Sequence, residues 1–246
     1  MTLLYEVNIF KVSFTRKKEE KNDKIYRRRN CYISKKIVTN TCSIAFKDID
    51  KIIKNNSVNL TRTLDLGCGF WRSTSYLQKF NPGQIFGSDI DEKSVDYCRK
   101  NNKDCTFFLN TPDSLQYEYN PFSAIFSILM LFHLETADEV KKEMKKCFFS
   151  LANKGHLIII TRTKELYTAN YTSSRGVKAP INSGDRATMY LSDINLVVED
   201  TYWSEQQLID IATEVGFESY TLEYPLAEKF DETILPPFLI LTLLKR

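Results

Sequence analysis

Histidine is nearly missing from this sequence. His133 and His156 are the two present among 246 residues, so a zinc or iron centre built on several imidazoles is excluded and no metal is expected. The six cysteines, Cys31, Cys42, Cys68, Cys98, Cys105 and Cys147, include no C-x-x-C pair and are scattered along a chain too large to need stapling. Their use as small core hydrophobes in a reducing, cytoplasmic setting is the expectation. A signal peptide is not expected, because "MTLLYEVNIF" lacks a basic start followed by an unbroken apolar stretch. The apolar run "ILPPFLILTLLKR" is shorter than the roughly 20 residues that span a bilayer, so it reads as a buried strand and no membrane partner is expected. Internal repeats and low-complexity segments are absent. With 34 basic and 31 acidic residues the formal net charge is +3, which calls for neither a polyanionic partner nor a membrane surface.

What is present suffices for one sizeable core with decorations: 43% hydrophobic and 26% charged residues in a chain of this length. From Arg62 onward, short β-rich runs alternate with amphipathic stretches, the pattern of a parallel sheet with crossover helices. Strands are expected at "RTLDL", "QIFGSDI", "CTFFLN", "FSAIFSILML" and "GHLIIITRT", and helices at "RSTSYLQKF", "EKSVDYCRKNN" and "ADEVKKEMKKCFFSLA". From Lys164 to about Tyr202 the rhythm changes to a polar, aromatic-sprinkled stretch with turns at "SSRG" and "NSGD" and a hairpin from "ATMYL" and "NLVVEDTYW". A connection of that length is expected to be a functional lid. "SEQQLIDIATEVGF" then reads as a helix capped by Ser204 and ended by Gly216, and "SYTLEY" and "PFLILTLL" supply two closing strands. Before Arg62, "CSIAFKDIDKIIKNN" is an amphipathic helix, and basic residues outnumber acidic ones between Arg16 and Lys36, with Arg27, Arg28 and Arg29 in a row. That run reads either as a solvated face or as an anion-binding arm. The expected division is an N-terminal helical arm or lid over 1–58 and a core over 59–246, with a lid insertion at 164–202.

The chemistry lies in "TLDLGCGFWRST", residues 63–74. In an open parallel sheet, ligands sit beyond the carboxyl ends of the strands, and the first strand-to-helix turn forms the floor. Gly67 and Gly69 allow a tight turn and close backbone approach. About 20 residues further on, Asp89 ends the next strand, where a carboxylate accepts hydrogen bonds from ribose hydroxyls. A pyrophosphate would call for a third glycine, yet Trp71 stands there behind Phe70, and Asp65 at the head of the turn repels phosphate but suits a cation. S-adenosylmethionine, a ribonucleoside without phosphate that carries an ammonium and a sulfonium, suits this turn better.

On these residues the chain, in order from about Thr63 to Phe217, resembles the class I S-adenosylmethionine-dependent methyltransferases. "LDLGCGFWRST" is similar to the family's first motif, D-x-G-x-G-x-G, and "GSDIDEKSVDYCR" to its second; "FSAIFSILMLFHLE" and "SLANKGHLIIITRT" resemble the fourth and fifth. "FFLNTPDSL" stands where the family has Gly-Asp-Ala, with Asn110 and Thr111 in those places, so Asn110 or Asp113 would meet the adenine amino group. The resemblance implies a Rossmann-like α/β fold with a seven-stranded, mostly parallel sheet and helices on both faces. It also implies S-adenosyl-L-methionine as cofactor, S-adenosyl-L-homocysteine as product, and a cofactor site of Asp65, Gly67, Cys68, Gly69, Asp89, Ile90, Asn110, Thr111, Ser127 and Leu129.

Methyl transfer from sulfonium is an in-line displacement, and a general base is needed only where the acceptor must lose a proton. His133, after the fourth strand, is the candidate for catalysis, against a packed or capping role; His156 reads as structural. The insertion resembles the segment that covers the pocket in family members acting on small molecules. Tyr190, Tyr202 and Trp203 would then line the substrate pocket, with Trp203 alternatively a staple under the following helix, and Arg162 would meet a substrate carboxylate or phosphate. A small-molecule acceptor is the leading expectation. The alternatives are an RNA or other nucleic-acid methyltransferase using the basic arm, a protein methyltransferase, and a non-catalytic S-adenosylmethionine-binding module; a homodimer is left open.

Overall fold

The computed structural model describes residues 41–111, 121–226 and 235–246. The basic stretch from Arg16 to Lys36, and Asp113, lie outside the described residues.

Eleven strands among the described residues form two sheets. The larger contains β1 (Arg62–Leu66), β2 (Gln84–Asp89), β3 (Thr106–Leu109), β4 (Phe122–Ile128), β5 (Leu151–Arg162), β10 (Ser219–Glu223) and β11 (Phe238–Leu244), in the order β10-β11-β5-β4-β1-β2-β3. β1, β2, β3, β4 and β5 run parallel, while β11 is antiparallel to both β5 and β10. The sheet is thus the seven-stranded, mostly parallel one expected. Chain order reverses on either side of β1, so the crevice opens between β1 and β4, above the turn that follows β1.

Strand parity divides the core. Ile125, Leu157, Ile159, Leu239, Leu241 and Leu243 face α4 (Ala137–Ser150) and α5 (Glu205–Val215), while Ala124, Phe126, Ile128, Ile158, Ile160, Phe238 and Ile240 face the other way. Apolar residues at both parities are what a sheet covered on both faces requires. The second face is covered by residues from three parts of the chain. Ala45 and Phe46 come from a 3-10 turn at Thr41–Phe46, and Ile49 and Ile52 from α1 (Ile49–Asn55). Leu77 comes from α2 (Arg72–Leu77), and Ala187 and Met189 from the second sheet. The stretch 41–58, expected to belong to an arm, packs into this core, and its expected single helix breaks at Asp48 into the 3-10 turn and α1.

The insertion is more ordered than a hairpin. β6 (Asn170–Tyr171), β7 (Ser174–Lys178), β8 (Arg186–Leu191) and β9 (Leu196–Thr201) form an antiparallel sheet in chain order. "SSRG", read as a turn, begins β7, because Ser174 pairs with Leu191 in the β8 register. α5 starts at the expected cap, Ser204 accepting from the Gln207 amide at 3.3 Å, and stops at Gly216 with φ 117°. α3 (Glu92–Asn101) follows β2, its first turn capped by Asp91, which accepts from the Ser94 amide.

Candidate active site

The turn after β1 is tied to β2 by backbone bonds: the Gly67 and Cys68 amides both donate to the Ser88 carbonyl, at 2.8 and 2.9 Å. The Gly69 amide donates to Asp89 Oδ2 at 2.8 Å, and the Asp91 amide to Asp89 Oδ1 at 2.9 Å. Asp89 is thereby held at the end of β2, off the cavity wall, its carboxyl raised above the usual range chiefly by burial. Ile90 beside it is 79% exposed, an apolar surface with no protein cover. The two glycines do different work. A Cβ on Gly67 (φ 78°) would meet Met130 Cγ at 2.4 Å, whereas one on Gly69 (φ 51°) would meet nothing within 4 Å. Gly67 makes room for protein, and Gly69 opens onto empty space at the crevice.

The third-glycine position shows why glycine is usual there. Trp71 sits at φ 72°, in the left-handed region that costs a side-chain-bearing residue about 1–2 kcal/mol. Its indole packs near Tyr97 (centroids 6.4 Å apart) and against the cluster of Cys68, Val95, Cys98 and Phe107, so apolar contact offsets the strained backbone. The Cys68 and Cys98 thiols both reach the Gly69 carbonyl, at 3.7 and 3.2 Å, filling the space under the turn as core groups.

Asp65 does not face the crevice. It is fully buried one layer below, where Oδ2 accepts from Ser73 Oγ and Thr74 Oγ1, both at 2.6 Å, and anchors the start of α2; Oδ1 has no partner. The hydroxyl-bearing Ser73, not Asp65, reaches the cavity wall. Burial raises the Asp65 pKa to about 6, with the two hydroxyls acting in the opposite sense. A pKa raised on folding means the fold carries no penalty below about pH 4, loses stability as pH rises to about 6, and stays lower above it. The amount is on the order of 3 kcal/mol. Asp65→Asn should therefore gain stability relative to the parent across that window, measured by urea unfolding from pH 4 to pH 7; a pH-independent difference would contradict the assignment.

A cavity of about 220 Å³ opens over the turn, walled by Gly67, Cys68 and Gly69 below, by Ile128 and Leu129 at the end of β4, and by Leu191, Ile194, Leu196 and Val198 of the second sheet above. Leu129 takes a left-handed φ of 57° with its amide on the Ile160 carbonyl at 2.8 Å, which turns the chain across the crevice. Ser127 is buried, and its hydroxyl is not on the wall. Asn110 and Thr111 also stand apart from the cavity: the Asn110 amide bonds the Asp89 carbonyl at 2.8 Å, and its side chain donates to Glu143 Oε1 at 3.3 Å.

Of the four residues expected on the acceptor side, Arg162 lines the cavity and Tyr190, Tyr202 and Trp203 do not. Arg162 continues the parity of Ile158 and Ile160 towards the second sheet and pairs with Asp200 of β9, its guanidinium 3.8 Å from the Phe132 ring centroid. Its charge is met by the Asp200 carboxylate, and the residue lines the cavity. Tyr190 donates to Asn195 Oδ1 at 2.8 Å, and Tyr202 packs edge-on to Tyr167; neither is on the cavity wall. Trp203, 2% exposed, lies in the cluster on the opposite face of the sheet with Leu208, the N′-to-N4 pairing of a hydrophobic staple. Aliphatic residues, which the sequence did not single out, make the lid wall instead. His133 ends a short 3-10 turn, lines the cavity and stacks on Phe132 at 4.5 Å. Enclosure in the recess, then the guanidinium charges of Arg162 and Arg186, push its pKa down to about 3. The ring is open to water in the crevice, and with two cations near it the imidazole is neutral at physiological pH.

Among the described residues no group of three or more His, Cys, Asp or Glu could hold a metal ion, and no helix is long and apolar enough to cross a membrane. The turn has a backbone with room for close approach at Gly69, and a carboxylate tied to it at the end of β2 with an exposed apolar side chain beside it. Those features fit a nucleoside with a short tail. Residues 64–159 match the methyltransferase domain family. Solved structures agree in fold. An S-adenosylmethionine-dependent methyltransferase from Clostridium acetobutylicum is similar at 12% identity over 92% of this chain and 99% of its own, with a TM-score of 0.62. Streptomyces venezuelae DesVI is similar at 15% identity over 93% and 100%, with a TM-score of 0.61. S-adenosylmethionine-bound CalS10, an amino pentose methyltransferase from Micromonospora echinaspora, is similar at 12% identity over 88% and 95%, with a TM-score of 0.58. No curated protein matches the chain.

Proposed function

We propose that this protein moves the methyl group of S-adenosylmethionine onto a small-molecule acceptor held beneath the second sheet. The observation that carries this reading is that one cavity shares its walls between the glycine turn and the lid strands, so a molecule under the lid is brought against the cofactor turn. When bound, the cofactor supplies an electrophilic methyl carbon on sulfur. The chain contributes positioning and exclusion of water, the main demands of an in-line displacement. In that role Gly67 and Gly69 let the backbone approach, Asp89 takes the ribose hydroxyls and Ile90 lies against the adenine. Leu191, Ile194, Leu196 and Val198 give the acceptor an apolar wall, beside the charged Glu199 and Asp200. His133, neutral and poorly basic, suits accepting a hydrogen bond from the acceptor better than removing its proton. That CalS10 acts on an amino pentose is consistent with acceptors of this size. An acceptor of nucleic-acid size would have to be admitted past the same aliphatic wall.

Titration calorimetry with S-adenosylhomocysteine tests the reading. The parent should bind, and Asp89→Ala should weaken binding by about tenfold to a hundredfold, the loss of charge-assisted bonds to two hydroxyls. Absence of binding by the parent would sink the proposal. Methylation that falls steeply with salt and requires RNA or DNA would replace the small-molecule acceptor with a nucleic acid.

A further inference from the structure

Two thiols meet under the glycine turn. Cys68 stands between Gly67 and Gly69, and Cys98 comes from the last turn of α3. Their sulfurs lie 3.7 and 3.2 Å from one acceptor, the Gly69 carbonyl, and are in hydrogen-bond contact with each other. Neither is in a disulfide. Val95 and Phe107 pack round the pair, and on the β2 side the space is left by Gly87, where a Cβ would come within 3.1 Å of the Cys68 sulfur. Of the two, Cys68 alone reaches the cavity wall. A small solute in the cavity therefore meets one sulfur with the second in contact behind it, the arrangement of an attacking thiol backed by a resolving thiol.

The Gly69 peptide couples the pair to the site. Its carbonyl is held by the two thiols and its amide by Asp89 at 2.8 Å, and a Cβ at this residue would meet no atom within 4 Å. Joining the sulfurs removes both S–H donors and with them the contacts that orient this peptide and its tie to Asp89. We infer that Cys68 and Cys98 are a disulfide-forming pair, closed by peroxide in the ligand-free protein and shielded when the cavity is filled, so that oxidation disables the glycine turn. The Cys68 sulfur attacks one peroxide oxygen and the O–O bond breaks, leaving a sulfenic acid and one water. The Cys98 sulfur then displaces the sulfenic hydroxyl, which leaves with the Cys98 proton as a second water; two thiols lose two electrons and one peroxide gains them. Contact with Cys98 and then burial push the Cys68 thiol up, so the reaction is slow and calls for excess peroxide. The shielding rests on the proposed function; the cross-link does not.

The test treats the ligand-free full chain with excess hydrogen peroxide, maps the cysteine peptides by mass spectrometry and titrates S-adenosylhomocysteine by calorimetry. The expected result is a cross-link between Cys68 and Cys98, with affinity lower by about tenfold or more and both changes reversed by dithiothreitol. Cys98→Ala should bind before treatment, form no cross-link and carry Cys68 on to the sulfinic or sulfonic acid, so that its lost affinity does not return on reduction. Cys105→Ala, at the edge of the same cluster, should behave as the parent. Saturation with S-adenosylhomocysteine should slow the cross-link, and an unslowed reaction would overturn the shielding. Oxidation of Cys68 in the parent without a cross-link, a cross-link to Cys105 instead, or a complete cross-link with unchanged affinity would overturn the inference. If the untreated parent bound no S-adenosylhomocysteine, the proposed function would fall, while peptide mapping of the parent and Cys98→Ala would still decide the pairing.

Discussion

Gly69→Ala is expected to fold nearly normally yet lose cofactor binding, whereas Gly67→Ala, two residues away, is expected to damage the fold first. The added methyl at Gly69 has no protein atom within 4 Å, so its structural cost is limited to the left-handed backbone, about 1–2 kcal/mol. The same methyl projects into the space that the ligand must occupy, and affinity for S-adenosylhomocysteine should fall by about a hundredfold, equivalent to roughly 2.8 kcal/mol. At Gly67 the new Cβ would stand 2.4 Å from Met130 Cγ and 2.8 Å from Met130 Cβ at φ 78°. Overpacking and backbone strain together should cost about 2–4 kcal/mol. Urea unfolding and calorimetry on the two variants separate the effects; similar stability losses in both would contradict the division of labour between the glycines.

The second large effect concerns the bond between core and lid. Arg162→Met leaves Asp200, 2% exposed, without its cation in the wall between β5 and β9, and breaking a buried pair from one side costs about 3–5 kcal/mol. The Tyr167 hydroxyl, 3.4 Å from Asp200 Oδ2, is a weak substitute. Adding Asp200→Asn to Arg162→Met should recover more than half of the loss, because the penalty lies in the stranded charge and not in the missing attraction. Equal instability of the single and double variants, in the same unfolding assay, would show that Arg162 acts through its packing on Phe132 instead.

What the sequence revealed and what it concealed follows from how far each feature depends on neighbours along the chain. Gly67, Gly69 and Asp89 were legible because a strand end, a turn and the next strand end lie within one βαβ unit. Ser204 and Gly216 were legible because caps are local chemistry. The cavity wall opposite the turn was not. Tyr190, Tyr202 and Trp203 drew notice as large aromatic residues, but which side a strand residue faces depends on register, and a shift of one position sends every side chain to the other face. The β8 and β9 register turns Leu191, Leu196 and Val198 to the cavity, and the chain then crosses to the far face of the sheet before Trp203. Arg72 and Phe46, 26 positions apart, meet only because α2 and the 3-10 turn share one face of the sheet. No periodicity marks such a pair. Trp71 shows the reverse case: its departure from the glycine pattern was visible, but the positive φ that the position keeps was not.

The second sheet is built entirely from residues 170–201, each strand pairing with its neighbour in the chain, while the turn beneath it comes from residues more than a hundred positions earlier. Substitutions in Leu191, Ile194, Leu196 and Val198 can therefore reshape the cavity without touching any residue of the glycine turn. The two walls of one cavity are therefore separate stretches of the chain, and one can change in sequence without the other.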